Sequence, residues 1–465
     1  MSTGHSDDNL FLTAPVHKIF AATALPMAAI MLMNGLLGIV DAAFLGRFVG
    51  TKAMAAVGIA FPVLMLTISL STLVSAGMSS LLARQLGASA RDAAAATFAA
   101  AHGLALLIAA MLILIFMVGG WSFALRTAGS DRSVAEMLWV FLAISIFGTS
   151  VQFLLGIHAD AWRNEGKAGL MALLSLGVTL ANIALNYILI VPLKLGIAGS
   201  ALGTILAQAI GLALLVGLRP FVDGMMPLGS LWQNRWTGGW RRLLALGAPV
   251  SLGFIGIALS GAVVLLALRL GDGANYEKSI AAYGIVTRVF GFTFLPIMAI
   301  AMAMQSIVGN NVGARLYARS DNVLGIAVAT ALVYCFAVEF CLLLAGSSIG
   351  ALFVSNPDVV AQTGRLFRPM AALYLVSGPV FVFGLYFQAV GQPALAGLLT
   401  VAKPFVLLPL LIAALAVSGG ADLIWFAYPL ADSLAAIVAV LVLSSAFKTR
   451  RRAGAIGLEG MERAS

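Results

Sequence analysis

Residues 19–45 read IFAATALPMAAIMLMNGLLGIVDAAFL, a run with no charged side chain except Asp41. About 20 predominantly apolar residues in a helix are enough to cross the hydrocarbon core of a bilayer, so the stretch predicts a membrane span carrying one acid. Comparable runs recur at 54–83, 93–120, 134–158, 168–192, 195–218, 243–269, 279–309, 322–346, 366–390, 394–417 and 421–446. The expectation is an all-α polytopic membrane protein with twelve transmembrane helices.

Composition agrees. Of 465 residues 61% are hydrophobic and 10% charged, against roughly 45–50% and about 25% in soluble domains, which excludes an ordinary soluble protein. The 49 Gly suit close-packed membrane helices. A net charge of +9 raises the possibility of nucleic acid, but Lys and Arg gathered in cytoplasmic loops give the same balance, and no nucleic-acid partner is expected. Residues 1–18 contain Asp7, Asp8 and Pro15 and lack the order of a secretory signal. Cys335 and Cys341 are too far apart along one helix to pair.

With the amino terminus inside, most of the 27 Lys and Arg fall in inner segments, among them Arg84, Arg163, Arg219, Arg241 and Arg450. The bias predicts that both termini are cytoplasmic. The longest polar link, 219–242, divides the chain into an N-lobe at 19–218 and a C-lobe at 243–446, with a cytoplasmic tail at 1–18 and a basic one at 447–465. Trp232, Trp236 and Trp240 in the link fit either an interfacial helical stripe or, with Gly238 and Gly239 weakening the helix, a plain tether.

An internal repeat supports the division. Ala55-Ala56-Val57-Gly58-Ile59 matches Ala281-Ala282-Tyr283-Gly284-Ile285, and Leu86-Gly87-Ala88 matches Val312-Gly313-Ala314 at the same offset. Gly166, Leu170, Leu173 and Leu174 align in turn with Gly391, Leu395, Leu398 and Leu399. An even number of helices per copy gives both halves one orientation, related by an axis along the membrane normal, with the space between them the default place for a substrate.

Polar residues at helical spacing inside spans should face a cavity or another helix. The first span carries Asn34, Gly38 and Asp41, the fifth Ser175, Thr179, Asn182 and Asn186, and the sixth Ser200, Thr204 and Gln208. Thr67, Ser71, Ser75 and Ser79 of the second span read as a helix-packing face. The alternating directions of the spans place Asp41, Asn182, Asn186 and Thr204 at a similar depth, where they can meet in one pocket. A carboxylate held from water is costly to keep ionised, so Asp41 is expected to take up and release a proton. The alternative for Asp41, a surface pair with Arg47, suffers from a spacing of six that puts the two on different faces. Pro26 removes a backbone donor from the same span and is the candidate hinge.

Glu339 is either a second protonation or cation site or a hydrogen-bonded structural acid. Arg288 and Lys403 read as buried counter-charges or snorkelling groups, and His102 and His158 as packing residues. Met27, Met31, Met298 and Met302, with Phe290 and Phe294, pair at i, i+4 and fit either core or lipid contact or an adaptable greasy cavity. The candidate substrate-cavity residues are Met27, Asn34, Gln208, Arg288 and Gln388.

Six segments together resemble the multidrug and toxic compound extrusion (MATE) family: Val40-Asp41-Ala42-Ala43-Phe44-Leu45-Gly46-Arg47 with Pro26 before it, Ala55-Ala56-Val57-Gly58, Arg163-Asn164-Glu165-Gly166-Lys167, Asn182-Ile183-Ala184-Leu185-Asn186-Tyr187, Val308-Gly309-Asn310-Asn311-Val312-Gly313-Ala314 and Phe387-Gln388-Ala389-Val390-Gly391. The resemblance spans about residues 19–446 and implies a V-shaped pair of pseudo-symmetric six-helix lobes. It implies export of organic compounds, often cationic, in exchange for protons or sodium. In the DinF-like branch the first-helix acid, here Asp41, is the coupling residue, with Asn182, Asn186 and Thr204 as its polar neighbours. Asn186 stands where many members of that branch have an acid, and the segments 249–254 and 377–380 lack the acids of the NorM-like branch.

The expected protein is therefore a proton-coupled multidrug antiporter, acting as a monomer in the plasma (inner) membrane of a prokaryote. Its partners are small organic substrates and the lipid bilayer. It is not an enzyme, has no cofactor besides the coupling ion, and has no resident metal, although sodium at Asp41, Asn182, Asn186 and Thr204 is the alternative. A lipid-linked saccharide flippase would want a basic cavity, for which only Arg288 and Lys403 are available. A membrane-embedded enzyme would want a clustered catalytic set, and none is present in the sequence.

Overall fold

The computed structural model describes residues 9–129, 131–222, 226–271, 276–420 and 422–453. Residues 1–8 of the expected amino-terminal tail and 454–465 of the basic carboxy-terminal tail lie outside the described residues. All regular structure among the described residues is helical. Ten helices are long and apolar enough to cross a membrane, and two bent pairs, Arg132–Phe147 with Thr149–Asn164 and Pro357–Ala371 with Tyr374–Ala389, bring the number to twelve if each pair is one span. On the outer faces large apolar side chains stand free, as at Leu114, Ile115, Met117 and Val118, which are 63%, 68%, 69% and 82% exposed. Such a surface is unfavourable in water and suited to lipid.

The chain divides into two compact units, Met1–Gly247 and Ala248–Ser465. The division falls inside the helix Trp240–Gly271, later than a link at 219–242 suggests. Glycine explains the shift. A Cβ on Gly247 would lie 1.7 Å from the Leu73 carbonyl oxygen and one on Gly77 2.1 Å from that of Leu243, so the first turns of the helix press backbone to backbone onto Thr51–Gly87. The link itself is docked as well. Among its described residues the link holds a single 3-10 turn, Arg219–Phe221, the short helix Ser230–Gln233 and the first residues of Trp240–Gly271. Trp236 Nε1–H donates to the Leu231 carbonyl (2.8 Å), and Trp240 Nε1–H donates to that of Ala100 (3.0 Å). Trp232 alone of the three projects outward, at 83% exposed, so the segment is neither a helical stripe nor a loose tether.

The repeat appears in backbone geometry. Ser89 and Arg315, at corresponding places in the two copies, both adopt the left-handed region (φ 56° and 60°) just past the helices Thr51–Gly87 and Tyr276–Gly313, and Gly166 and Gly391 do so with φ 80° and 89°. Left-handed residues stop helices by letting the last carbonyls find donors, and Ala90 N–H and Leu316 N–H reach back to Gln85 and Asn311 in this way.

Two acids cap helix starts, one outside the spans and one inside. Asp131 caps Arg132–Phe147 by accepting from Ser133 and Val134 N–H, and it also pairs with Lys52 at 2.9 Å. The Lys52 and Ser133 donors hold the Asp131 carboxyl down at about 2. Its stabilising effect is therefore complete above the ordinary value of 3.8 and lost as pH falls through about 2. In the second unit the 51° bend between Pro357–Ala371 and Tyr374–Ala389 turns on Leu373, at φ 67°. Glu339 holds that bend: its two carboxylate oxygens accept from Leu373 N–H (3.2 Å) and Leu375 N–H (2.8 Å). Of the two readings of Glu339, the structure gives it the bonding of a structural acid that caps the broken helix.

Candidate functional site

The helices Ala168–Ile190 and Gly196–Leu218 lie close because glycines on the second leave room for the first. A Cβ on Gly199 would meet the Leu189 carbonyl at 3.0–3.1 Å, and one on Gly203 would lie 2.0 Å from Asn186 Oδ1. Small residues that permit this approach are the common means of packing membrane helices. The helix Val16–Phe44 packs against Ala168–Ile190 and brings Asp41, three residues before its end, to the same place.

The result is a continuous polar chain. Asn186 Nδ2–H donates to Asp41 Oδ1 at 2.7 Å, and the same amide donates to Asn182 Oδ1 at 3.2 Å. Asn182 Nδ2–H donates to Thr204 Oγ1 (3.4 Å), whose hydroxyl donates to the Ser200 carbonyl (3.2 Å). Asn186 and Asn182 are buried, while Asp41 and Thr204 are half-buried. The four residues singled out by spacing and depth thus form one hydrogen-bonded group. Asp41 bonds Asn186 instead of Arg47, whose exposed guanidinium lies over the Phe48 ring at 6.0 Å.

The Asn186 amide makes the arrangement asymmetric. Both of its described bonds use Nδ2, and its Oδ1, buried towards Gly203, has no donor among the described residues. An ionised carboxylate accepts only, whereas a protonated one also donates. Protonation of Asp41 would therefore set an O–H against the amide N–H and offer the Asn186 Oδ1 a donor if the amide turned over. Turning it over would change what Asn182 and Thr204 receive. A sodium ion on Asp41 would likewise require that oxygen to face the carboxylate.

The closeness of Gly203 leads to a prediction. Gly203→Ala sets a methyl against Asn186, and overpacking of this kind typically costs about 1–3 kcal/mol, so the variant should unfold at a clearly lower temperature. Gly38→Ala, where nothing lies within 4 Å of a Cβ, is the control and should be neutral. Both are measured by thermal unfolding in detergent.

The residues expected around a substrate differ in exposure. Asn34 is exposed and Gln208 half-buried. Met27 is buried at 2% exposed, and Gln388 is fully buried, accepting from Gln305 Nε2–H at 2.8 Å, so neither offers its side chain to open space. Arg288 is exposed, as a snorkelling group would be and a buried counter-charge would not. Pro26 lies within the continuous helix Val16–Phe44.

Lys403, by contrast, has a partner that sequence reasoning missed. Its ammonium donates to the carboxylate of Asp432 and to Ser377 Oγ (2.9 Å), and Ser377 Oγ–H also donates to Asp432 (2.6 Å). Lys403 opens a π-helical turn, Lys403–Leu407, whose Pro404 carbonyl accepts from Ser260 Oγ–H. π-helical turns occur often at functional positions. The ion pair borders a cavity of about 330 Å³ within the second unit, walled by aromatic side chains. A lone ammonium between apolar spans needs an acid, and that requirement was the available signal for Asp432.

On the cytoplasm-directed side of the sequence-derived topology, His102 and His158 contact each other, Nε2 to Nε2 at 3.2 Å, and His102 Nδ1 bonds the Phe98 carbonyl. Beside them Glu165 accepts both terminal guanidinium nitrogens of Arg219 (3.1 and 3.0 Å) and the Met226 N–H. Burial pushes the Glu165 carboxyl up to about 7 against the pull of Arg219.

Largely apolar spans enclosing a few hydrogen-bonded acids and amides are those of a polytopic membrane transporter, in which intramembrane ionisable groups mark function. The MatE family profile matches residues 26–188 and 249–417, and the chain belongs to the MATE family of transporters. It is similar to the multidrug export protein MepA of Staphylococcus haemolyticus, with 25% identity over 94% of this chain and 96% of that one. It is also similar to an FAD transporter of Shewanella oneidensis, with 24% identity over 83% and 85%. Among solved structures, one described as MATE in complex with MaL6 superposes with a TM-score of 0.84 at 20% identity, covering 94% of this chain and 97% of that one. The outward-facing conformation of a multidrug resistance MATE family transporter gives a TM-score of 0.82 at 21% identity, with the same coverage. These likenesses confirm the all-α polytopic fold. As a member of a transporter family the chain is not an enzyme.

Proposed function

We propose that the protein exports small organic compounds from a prokaryotic cell in exchange for protons, and that Asp41 carries the proton. The observation that carries this reading is the bonded chain from Asp41 through Asn186 and Asn182 to Thr204. It joins the one acid of the first long helix to two neighbouring helices, and its pattern of donors and acceptors must change when that acid changes protonation. The similarity to multidrug export proteins supports the choice of cargo class. Proton is preferred to sodium because Asp41 is the one acid of the bonded group, its partners Asn186, Asn182 and Thr204 being uncharged. The first-helix acid and its amide neighbours support the DinF-like branch, and the relatives support the plasma membrane of the cell as the site of action. The chain is taken to act as a monomer.

The test is efflux of a fluorescent dye from vesicles holding the purified protein, driven by a proton gradient alone or by a sodium gradient alone. Proton-driven, sodium-independent export is expected. Export under sodium alone would replace the proton in this reading, and no export under either gradient would end it.

A further inference from the structure

The cavity in the second unit is not used by the chain of bonds around Asp41. It is lined by Phe254, Tyr283, Phe290, Phe294, Tyr374 and Phe381 among others, and its charged lining residues are Lys403 and Asp432. Its size is at the lower end of the range usual for small-molecule sites, which combine apolar walls with a few placed polar groups. The two charges are not presented equally. The Lys403 side chain is 25% exposed and that of Asp432 4%. The acid is thus sealed behind the ammonium and Ser377, and the charge facing the open space is positive. An ammonium has three N–H donors; Ser377 and Asp432 take two among the described residues, which leaves one for a ligand.

We propose that this cavity is a binding site for aromatic organic anions, with Lys403 receiving the anionic group and the aromatic walls receiving the rings. Asp432 and Ser377 hold the ammonium in position. A cationic ligand of the same shape meets a like charge at the cavity wall and must displace Lys403 from Asp432 to gain a partner. The favoured cargo therefore differs in sign from the cations that the family resemblance suggests. The inference rests on the export reading only for treating the ligand as cargo.

The test compares two dyes that share the xanthene ring system and differ in charge, fluorescein (anionic) and rhodamine 6G (cationic). Binding to the full-length protein is measured by fluorescence polarisation in nanodiscs of phosphatidylcholine, whose zwitterionic surface does not sort the dyes. The wild type should bind fluorescein more tightly. Lys403→Met combined with Asp432→Asn, which removes the pair without stranding a charge, should weaken fluorescein binding about tenfold or more, the scale of one charge-assisted hydrogen bond. Gly291 also lines the cavity, and a Cβ there meets nothing within 4 Å. Gly291→Phe, which leaves the ion pair alone, should block the site to a similar extent and keeps the proposal testable if the double variant does not fold. Preference for rhodamine 6G, binding of neither dye, or fluorescein binding unchanged in the folded variants would each overturn it. Binding is read on the wild type and the cavity variants with no gradient present, so failure of the coupling reading and failure of this site are told apart.

Discussion

Asp41→Asn is expected to abolish export driven by a proton gradient while leaving the protein folded in the membrane. The substituted amide is close in shape to the carboxyl and can still accept from Asn186 Nδ2–H at the position Asp41 Oδ1 occupies, so the packing of Val16–Phe44 against Ala168–Ile190 should survive. What it cannot do is exchange a proton. The loss should then be complete at the level of accumulation. One charge moved across 100 mV is worth about 2.3 kcal/mol, which a one-for-one exchange converts into nearly fifty-fold in concentration, and the variant should return that ratio to about one. Efflux assays with matched protein levels and a folding check by gel filtration measure it. Gradient-driven export by the Asn variant at wild-type level would remove Asp41 from the coupling role.

The same expectation separates coupling from passage. If Asp41 only lined the path, its amide would alter affinity and leave the dependence on the gradient intact. If it carries the proton, the variant should still equilibrate a dye down its own concentration gradient, at a rate that no longer responds to pH. A pH profile of uptake and release under zero potential distinguishes the two, and a preserved profile counts against the coupling reading.

The group around Asp41 was legible because helical spacing is a strong constraint. Steps of three and four put Asn182 and Asn186 on one face, and the alternation of spans put Thr204 and Asp41 at matching depth. Gly203 carries the same information from the opposite side, since it is the absence of a side chain that admits Asn186, but a single glycine in a chain with 49 of them gives no such signal. Arg288 and Lys403 kept the same two readings because neighbours along the chain do not tell which face of a helix turns outward. Asp432 was missed for the converse reason: its partner Lys403 lies on a different helix, and pairings between helices are set by packing. The bends at Gly148 and Leu373 also escaped notice. At Gly148 a Cβ would lie 2.2 Å from the Ile205 side chain, and Leu373 is an apolar residue in a left-handed conformation that nothing in its type suggests.

The second large effect should come from Glu165→Ala, and it concerns stability instead of transport. Arg219 and Glu165 are each 1% exposed at the side chain, and the guanidinium also bonds the Met226 carbonyl and lies 5.1 Å over the Phe98 ring. The pair fastens the end of Gly196–Leu218, and the Met226 N–H with it, to the turn after Thr149–Asn164. Taking away the acid leaves a buried guanidinium with a carbonyl and a ring face for company, and breaking a buried pair in this way costs about 3–5 kcal/mol. Thermal unfolding in detergent should show a large drop for Glu165→Ala. Removing both charges is a different matter, because an apolar pair of similar volume often matches a buried ion pair in stability. Glu165→Leu combined with Arg219→Met should therefore recover most of the loss. If the double variant is as unstable as Glu165→Ala alone, the stranded charge is not the cause, and the packing of Arg219 on Phe98 carries the stability instead.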